Sequence, residues 1–232
     1  MNIAGLQKLT TSDFPGVLSC IVFTQGCNLK CPYCQNSELI PMLKEFKADS
    51  LTSDEVLEFL TKRKNVLEGV VISGGEPLLQ PDIKHFICLA KEIGYKIKLD
   101  TNGTNPKLLK ELIDEELIDY VAMDIKNDFD NYAKTIGVEN FDTSKISQSI
   151  EVLKNSKIDF EFRTTICKEF HNISTISNIC ELIGKEPKFF IQNFEDSSNV
   201  INHSLHGFTF EELQEIQKYY ETRYPNFKVR GI

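Results

Sequence analysis

Residues 18–36 read LSCIVFTQGCNLKCPYCQN, from Leu18 to Asn36. The first seven are mostly apolar and end before a glycine, which predicts a buried strand over 18–24. The remainder carries three of the chain's seven cysteines within eight residues: Cys27, Cys31 and Cys34. Outward from this stretch, apolar runs recur at 69–73, 96–101, 119–125, 160–166 and 188–194, with segments of helical period between them. Ile83, Phe86, Ile87, Ala90 and Ile93 keep a spacing of three and four. So do Ile146, Ile150 and Leu153, then Ile173, Ile176, Cys180 and Ile183, then Leu213, Ile216 and Tyr220. Thr52-Ser53-Asp54-Glu55 and Thr209-Phe210-Glu211-Glu212 fit capping boxes, and Pro81 and Pro106 suit first-turn positions. Strands alternating with helices imply parallel pairing through right-handed crossovers, with functional residues on loops at the strands' carboxyl ends. Six such units fit an open doubly wound sheet or a partial (β/α)6 barrel. No Gly-, Pro- or Ser-rich linker interrupts them, so residues 1–232 are expected to form a single domain. The longest irregular piece, 25–50, holds the cysteines, and a loop of that length is usually functional.

Composition narrows the function classes. The chain has 232 residues, 41% apolar and 26% charged, as in ordinary globular proteins. No apolar run approaches the ~18 residues of a membrane span. The first residues lack the basic start and long apolar core of a secretory signal, so a cytoplasmic location is expected, with no membrane partner. A formal net charge of −8 argues against nucleic acid as the partner. The cluster Lys62-Arg63-Lys64 ends an acidic helix, where cations suit the helix dipole.

Cysteines crowded at spacings of four and three, without a signal sequence, point to metal or redox chemistry rather than a disulfide framework. Cys20, Cys88, Cys167 and Cys180 lie singly in apolar stretches and read as small core residues. Tetrahedral zinc would need a fourth ligand, and none of His85, His171, His203 and His206 forms a second tight pair. A cubane iron–sulfur cluster on three thiolates keeps one iron open for chemistry, whereas pure electron-transfer clusters normally use four. Three further constellations follow strands. Ser73-Gly74-Gly75-Glu76-Pro77 is either a turn or a cradle in which Glu76 accepts from an ammonium group. Asp100-Thr101-Asn102-Gly103 and Met123-Asp124-Ile125-Lys126 place an Asp at neighbouring strand ends, suited to a cation, a cofactor or a plain turn. Arg163, inside an apolar strand, needs a partner; Glu161 and Asp124 are available as structural ones.

Cys27-x3-Cys31-x2-Cys34, with the aromatic Tyr33 before the last Cys, resembles the signature of the radical S-adenosylmethionine enzymes. The resemblance implies a [4Fe–4S] cluster on these cysteines and S-adenosylmethionine chelated by the fourth iron. One-electron reduction then yields a 5′-deoxyadenosyl radical that abstracts hydrogen. It implies cofactor contacts from Tyr33, Gln35, Gly74, Gly75, Glu76, Asp100, Thr101, Asp124, Lys126 and Arg163, with Glu76 on the amino group and a monovalent cation near the aspartates. No side chain is expected to act as acid or base. Gly5-Leu6-Gln7-Lys8, Asp13-Phe14-Pro15-Gly16, Thr24-Gln25-Gly26-Cys27 and Val229-Arg230-Gly231-Ile232 are similar to activating proteins of anaerobic ribonucleoside-triphosphate reductase. The implied partners are that glycyl radical enzyme and an electron donor of flavodoxin or ferredoxin type. The chain departs from that group at Gln35-Asn36, where His-Asn is common, and at Gln192-Asn193-Phe194 in place of Gln-Pro-Phe. A radical enzyme acting on a small molecule such as a deazapurine precursor, or a non-catalytic zinc or cluster module, are the competing readings.

Overall fold

The computed structural model describes residues 1–41 and 50–232. Eight strands form one sheet in sequential order. β1 (Ile3–Thr10) runs antiparallel to β2 (Ser19–Thr24). Next come β3 (Gly69–Gly74), β4 (Lys96–Thr101), β5 (Tyr120–Asp124), β6 (Asp159–Ile166), β7 (Lys188–Asn193) and β8 (Phe227–Arg230). From β2 onward every neighbour is parallel. The crossovers carry α1 (Ser53–Arg63), α2 (Ile83–Ile93), α3 (Pro106–Asp114), α4 (Tyr132–Ile136), α5 (Ser144–Lys154), α6 (Ile173–Ile183) and α7 (Phe210–Glu221). This is the expected α/β partial barrel: β2–β7 with their helices are its six units, flanked by β1 and β8.

Strand alternation sorts the side chains into two faces. Cys20, Val22, Val70, Ile72, Ile97, Leu99, Val121, Met123, Phe162 and Ile191 pack with the helices in one large core. The opposite parity closes the floor of the concave face with Ile21, Val71, Tyr120 and Phe14. Nearer the carboxyl ends that same parity turns polar: Lys98, Asp100, Asp124, Arg163 and Gln192. Register brings these ends together, with Thr24 opposite Gly74, Thr101 opposite Met123 and Asp124 opposite Arg163.

The expected strands lie within two residues of those observed, and both capping boxes form, at Thr52 with Glu55 and at Thr209 with Glu212. Pro106 opens α3. Pro81 does not open α2, because Asp82 is the N-cap and the proline lies one residue ahead of it. Ile173 keeps the helical spacing but sits in the first turn of α6, 43% exposed. Residues 42–49 of the expected loop lie outside the described residues. Among the described residues no helix is long and apolar enough to cross a membrane. Phe162, fully buried on a central strand, should cost ~3–5 kcal/mol when changed to Ala. Ile173→Ala should stay within ~0.5 kcal/mol. Denaturant unfolding measures both; equal effects would contradict the burial assigned to the two positions.

Candidate active site

The cysteine loop leaves β2 and is pinned from several directions. Gly26 N–H donates to the Leu39 carbonyl (2.7 Å), Cys27 N–H to Ile40 (3.0 Å) and Lys30 N–H to Ile136 at the end of α4 (2.9 Å). Asn202 N–H, from the loop after β7, reaches the Pro32 carbonyl at 3.0 Å. Cys34 N–H closes a turn onto the Cys31 carbonyl at 3.0 Å. The end of β3 presses against this loop. A Cβ on Gly75 would stand 2.1 Å from the Gly26 carbonyl oxygen, and one on Gly74 would stand 2.3 Å from the Thr24 nitrogen. Gly74 also holds φ at +116°, a region that side-chain-bearing residues rarely adopt. The paired glycines therefore allow contact between two backbones, while still facing the cavity.

That cavity, about 430 Å³, opens at the carboxyl ends of the strands. It is lined by Cys27, Cys31, Cys34, Tyr33, Gln35, Gly74, Gly75, Asp100, Thr101, Asp124, Lys126 and Arg163. Every residue singled out in the sequence is there except Glu76. Glu76 is fully buried behind the wall. Its Oε1 accepts from Leu78 N–H (3.0 Å) and the Thr101 hydroxyl (2.8 Å), and its Oε2 from Asn102 N–H (2.6 Å). It ties the ends of β3 and β4 together instead of facing the cavity. Burial pushes its carboxyl up to about 7 despite these three donors.

The floor is a chain of opposite charges. Lys98 Nζ lies 2.5 Å from Asp100 Oδ1, and Arg163 Nη1 lies 3.5 Å from Asp100 Oδ2. Arg163 Nε donates to Asp124 Oδ1 (2.9 Å), and Lys126 Nζ reaches Asp124 Oδ2 (3.0 Å). The structural partner open to Arg163 in the sequence is thus Asp124, joined by Asp100. Burial alone would raise the Asp124 carboxyl, but Arg163 and Lys126 bring it down to about 2. Three cations against two carboxylates leave this network with spare positive charge and spare N–H donors facing the cavity.

The thiols stand in a different field. Burial pushes Cys31 up to about 12 and also raises Cys27 and Cys34, with Lys126 pulling each of them down. Such thiols give up their protons to a cationic metal centre rather than to water. Among the described residues no three His, Cys, Asp or Glu side chains are placed to hold a single metal ion. Tetrahedral zinc draws its thiolates in to about 2.3 Å each, whereas a cubane spreads three thiolates over three irons. Three thiols from one short loop, all facing one cavity with open space beside them for a further ligand, fit the cluster. Tyr33, 4% exposed, keeps a buried hydroxyl without a hydrogen-bond partner. Gln35 Nε2 donates to the Glu195 carbonyl at 3.0 Å.

Comparison with known proteins agrees with this geometry. A family model described as Radical SAM superfamily matches residues 21–183. The chain belongs to the radical SAM superfamily. Within it, the chain is 36% identical over 200 residues to a Methanocaldococcus jannaschii protein called "Putative glycyl-radical enzyme activating enzyme", covering 83% of this chain and 80% of that one. It is 34% identical over 199 residues to the pyruvate formate-lyase-activating enzyme of Clostridium pasteurianum, covering 81% and 79%. These place it in the glycyl-radical-enzyme activating family. The fold matches Streptococcus suis SuiB bound to S-adenosylmethionine, with TM-score 0.70 at 18% identity over 89% of this chain. The chain spans about half of SuiB, 48% of its length. A radical SAM methyltransferase from Sphaerobacter thermophilus matches at TM-score 0.74 and 14% identity, over 96% of this chain and 68% of that one. As a radical SAM enzyme, this protein works with a [4Fe–4S] cluster and S-adenosylmethionine.

Several supporting residues escaped the sequence reading. Lys98, Thr165 and the short α4 carry no motif. His171 figured there only among the histidines set aside as a fourth zinc ligand; it is buried, and its Nε2 donates to the Lys126 carbonyl at 2.9 Å. Glu76→Gln places an amide NH2 against backbone and hydroxyl donors. It should destabilise the cofactor-free protein by ~1–3 kcal/mol at pH 8. The folded protein holds the Glu76 proton up to about pH 7, whereas an unfolded chain releases it near pH ~4.3. Folding therefore takes up a proton in that window, so the wild type gains stability on acidification and the deficit of the variant widens. Melts at several pH values test this; a variant as stable as wild type throughout would show that the carboxylate is not a clamp.

Proposed function

We propose that this enzyme generates a glycyl radical on a partner protein. The observation that carries the reading is one cavity lined by three thiols on one side, buried Cys31 with half-buried Cys27 and Cys34, and by a cation-rich network on the other. Cys27, Cys31 and Cys34 hold the cluster and, at its mouth, the backbone of Gly74–Gly75 faces the cofactor's amino group. Lys126 and Arg163, already braced by Asp124, turn their remaining donors to the cofactor carboxylate. Tyr33, Gln35, Asp100 and Thr101 complete the lining, and Glu76 acts through Thr101 and Asn102 by holding their loop in place. When bound, the cluster and S-adenosylmethionine supply reductive cleavage to methionine and a 5′-deoxyadenosyl radical. The chain's own work is to position and shield. The cavity runs from Gln7 on β1 to Gln192 on β7, and a partner's glycine loop would enter at its mouth.

Residues 1–232 serve this site as one domain in the cytoplasm. The segments at both chain ends favour anaerobic ribonucleotide reductase as the partner, with a flavodoxin- or ferredoxin-type protein as electron donor. The likeness to a pyruvate formate-lyase-activating enzyme favours a second candidate, pyruvate formate-lyase. Anaerobic mixing of reduced enzyme, S-adenosylmethionine and each candidate should give a glycyl doublet in the electron paramagnetic resonance spectrum. The doublet should vanish when the partner's glycine becomes Ala. No doublet with any glycyl radical enzyme, together with turnover of a small metabolite, would overturn the reading. Separately, Cys27→Ala, Cys31→Ala or Cys34→Ala should abolish iron retention, while Cys20→Ala, Cys88→Ala, Cys167→Ala and Cys180→Ala keep it. Iron loss in a folded member of the second set would refute the ligand assignment.

A further inference from the structure

The resemblance puts a monovalent cation beside Asp100 and Asp124, yet the residues present do not fit one. Each carboxylate oxygen is already engaged. Asp100 Oδ1 holds the Lys98 ammonium at 2.5 Å, and Asp100 Oδ2 accepts from the Ser73 hydroxyl at 3.1 Å and faces Arg163 at 3.5 Å. Asp124 gives one oxygen to Arg163 and the other to Lys126. A bound ion would have to share these oxygens with the cations already on them and would add charge to a network already in cationic excess.

We infer that Lys98 is the resident counter-cation of Asp100, so that this enzyme binds S-adenosylmethionine without potassium or sodium. Lys98 and Asp100 stand two residues apart on β4 and so share its inner face. The lysine side chain is only 2% exposed. Its ammonium lies 5.9 Å from the centre of the Tyr120 ring on the floor. Burying an ammonium this deeply is offset only by a close carboxylate, and Asp100 supplies it. Lys98 does not line the cavity, which makes it a positioning residue. It fixes Asp100, and through Asp100 the guanidinium of Arg163, leaving the outward donors of Arg163 and Lys126 for a carboxylate. The inference rests on the S-adenosylmethionine site and not on the identity of the radical acceptor.

The test compares potassium, sodium and choline chloride at equal ionic strength, with two readouts. These are calorimetric S-adenosylmethionine binding to the reconstituted enzyme, and the melting midpoint of the cluster-free protein. The wild type should bind with the same Kd within about twofold in all three salts, and its midpoint should not distinguish them. Lys98→Met should bind about tenfold or more weakly in choline chloride. Potassium or sodium should restore both its affinity and its midpoint, as a small ion fills the position that the ammonium left. A wild type that needs potassium or sodium, or a folded variant with no cation preference, overturns the inference. If Lys98→Met does not fold, the wild-type series decides alone. Cation-independent binding without any glycyl radical would sink the partner reading and leave this one intact.

Discussion

The backbones of Gly75 and Gly26 meet where no side chain could stand between them. With Cβ atoms excluded at Gly74 and Gly75, the end of β3 lies level with the end of β2, and Glu76 N–H donates to the Gly26 carbonyl at 2.8 Å. The cysteine loop starts from that contact, so the position of all three thiols depends on it. The following residue carries the constraint one strand further, because the buried Glu76 carboxylate gathers Thr101 and Asn102 from the end of β4. Three consecutive strand ends are thereby tied together. A parallel sheet alone would not impose this, since ladder hydrogen bonds fix register but leave the loops beyond it free.

The second organising element is electrostatic. A concave sheet face at the mouth of a barrel would ordinarily be filled with apolar residues; here its upper layer carries five alternating charges from Lys98 to Lys126. Taking such groups out of water is costly, and the cost is offset only when each has partners in good geometry. Below that layer, Glu161 makes a second set, accepting from the Tyr120 hydroxyl and from Arg230, each at 2.8 Å. That set fastens the four-residue β8 to the barrel. The charged interior thus orders the site and also helps hold the last strand, whose Phe227 and Val229 pack into the main core.

Much of this was legible in the sequence. The strand at 69–73 carries a dense apolar run, that at 96–101 alternates Ile97 and Leu99 with polar residues, and both capping boxes follow from local hydrogen bonding. The cysteine spacing is local chemistry on a single loop, so it could be read without knowing the fold. The residues that escaped depend on contacts distant along the chain. Lys98 looks like an exposed strand lysine until the sheet closes and its parity turns inward. Glu76 has the same neighbours in sequence whether it points into the cavity or behind it; only the folded position of Asn102 decides. β1 and β8 escaped for a related reason, since edge strands bury one side weakly and lose the continuous apolar run of a central strand. α4, at five residues, is too short for a period to emerge.

The central claim is that three thiols and a cationic floor form one site in which cluster and cofactor are neighbours. Its most direct test is the electron paramagnetic resonance spectrum of the anaerobically reconstituted, reduced protein, recorded with and without S-adenosylmethionine alongside its metal content. The account predicts about four irons per chain, a reduced-cluster signal that changes when S-adenosylmethionine is added, and loss of both in Cys31→Ala. Bound zinc without iron, or a cluster signal indifferent to S-adenosylmethionine, would contradict it.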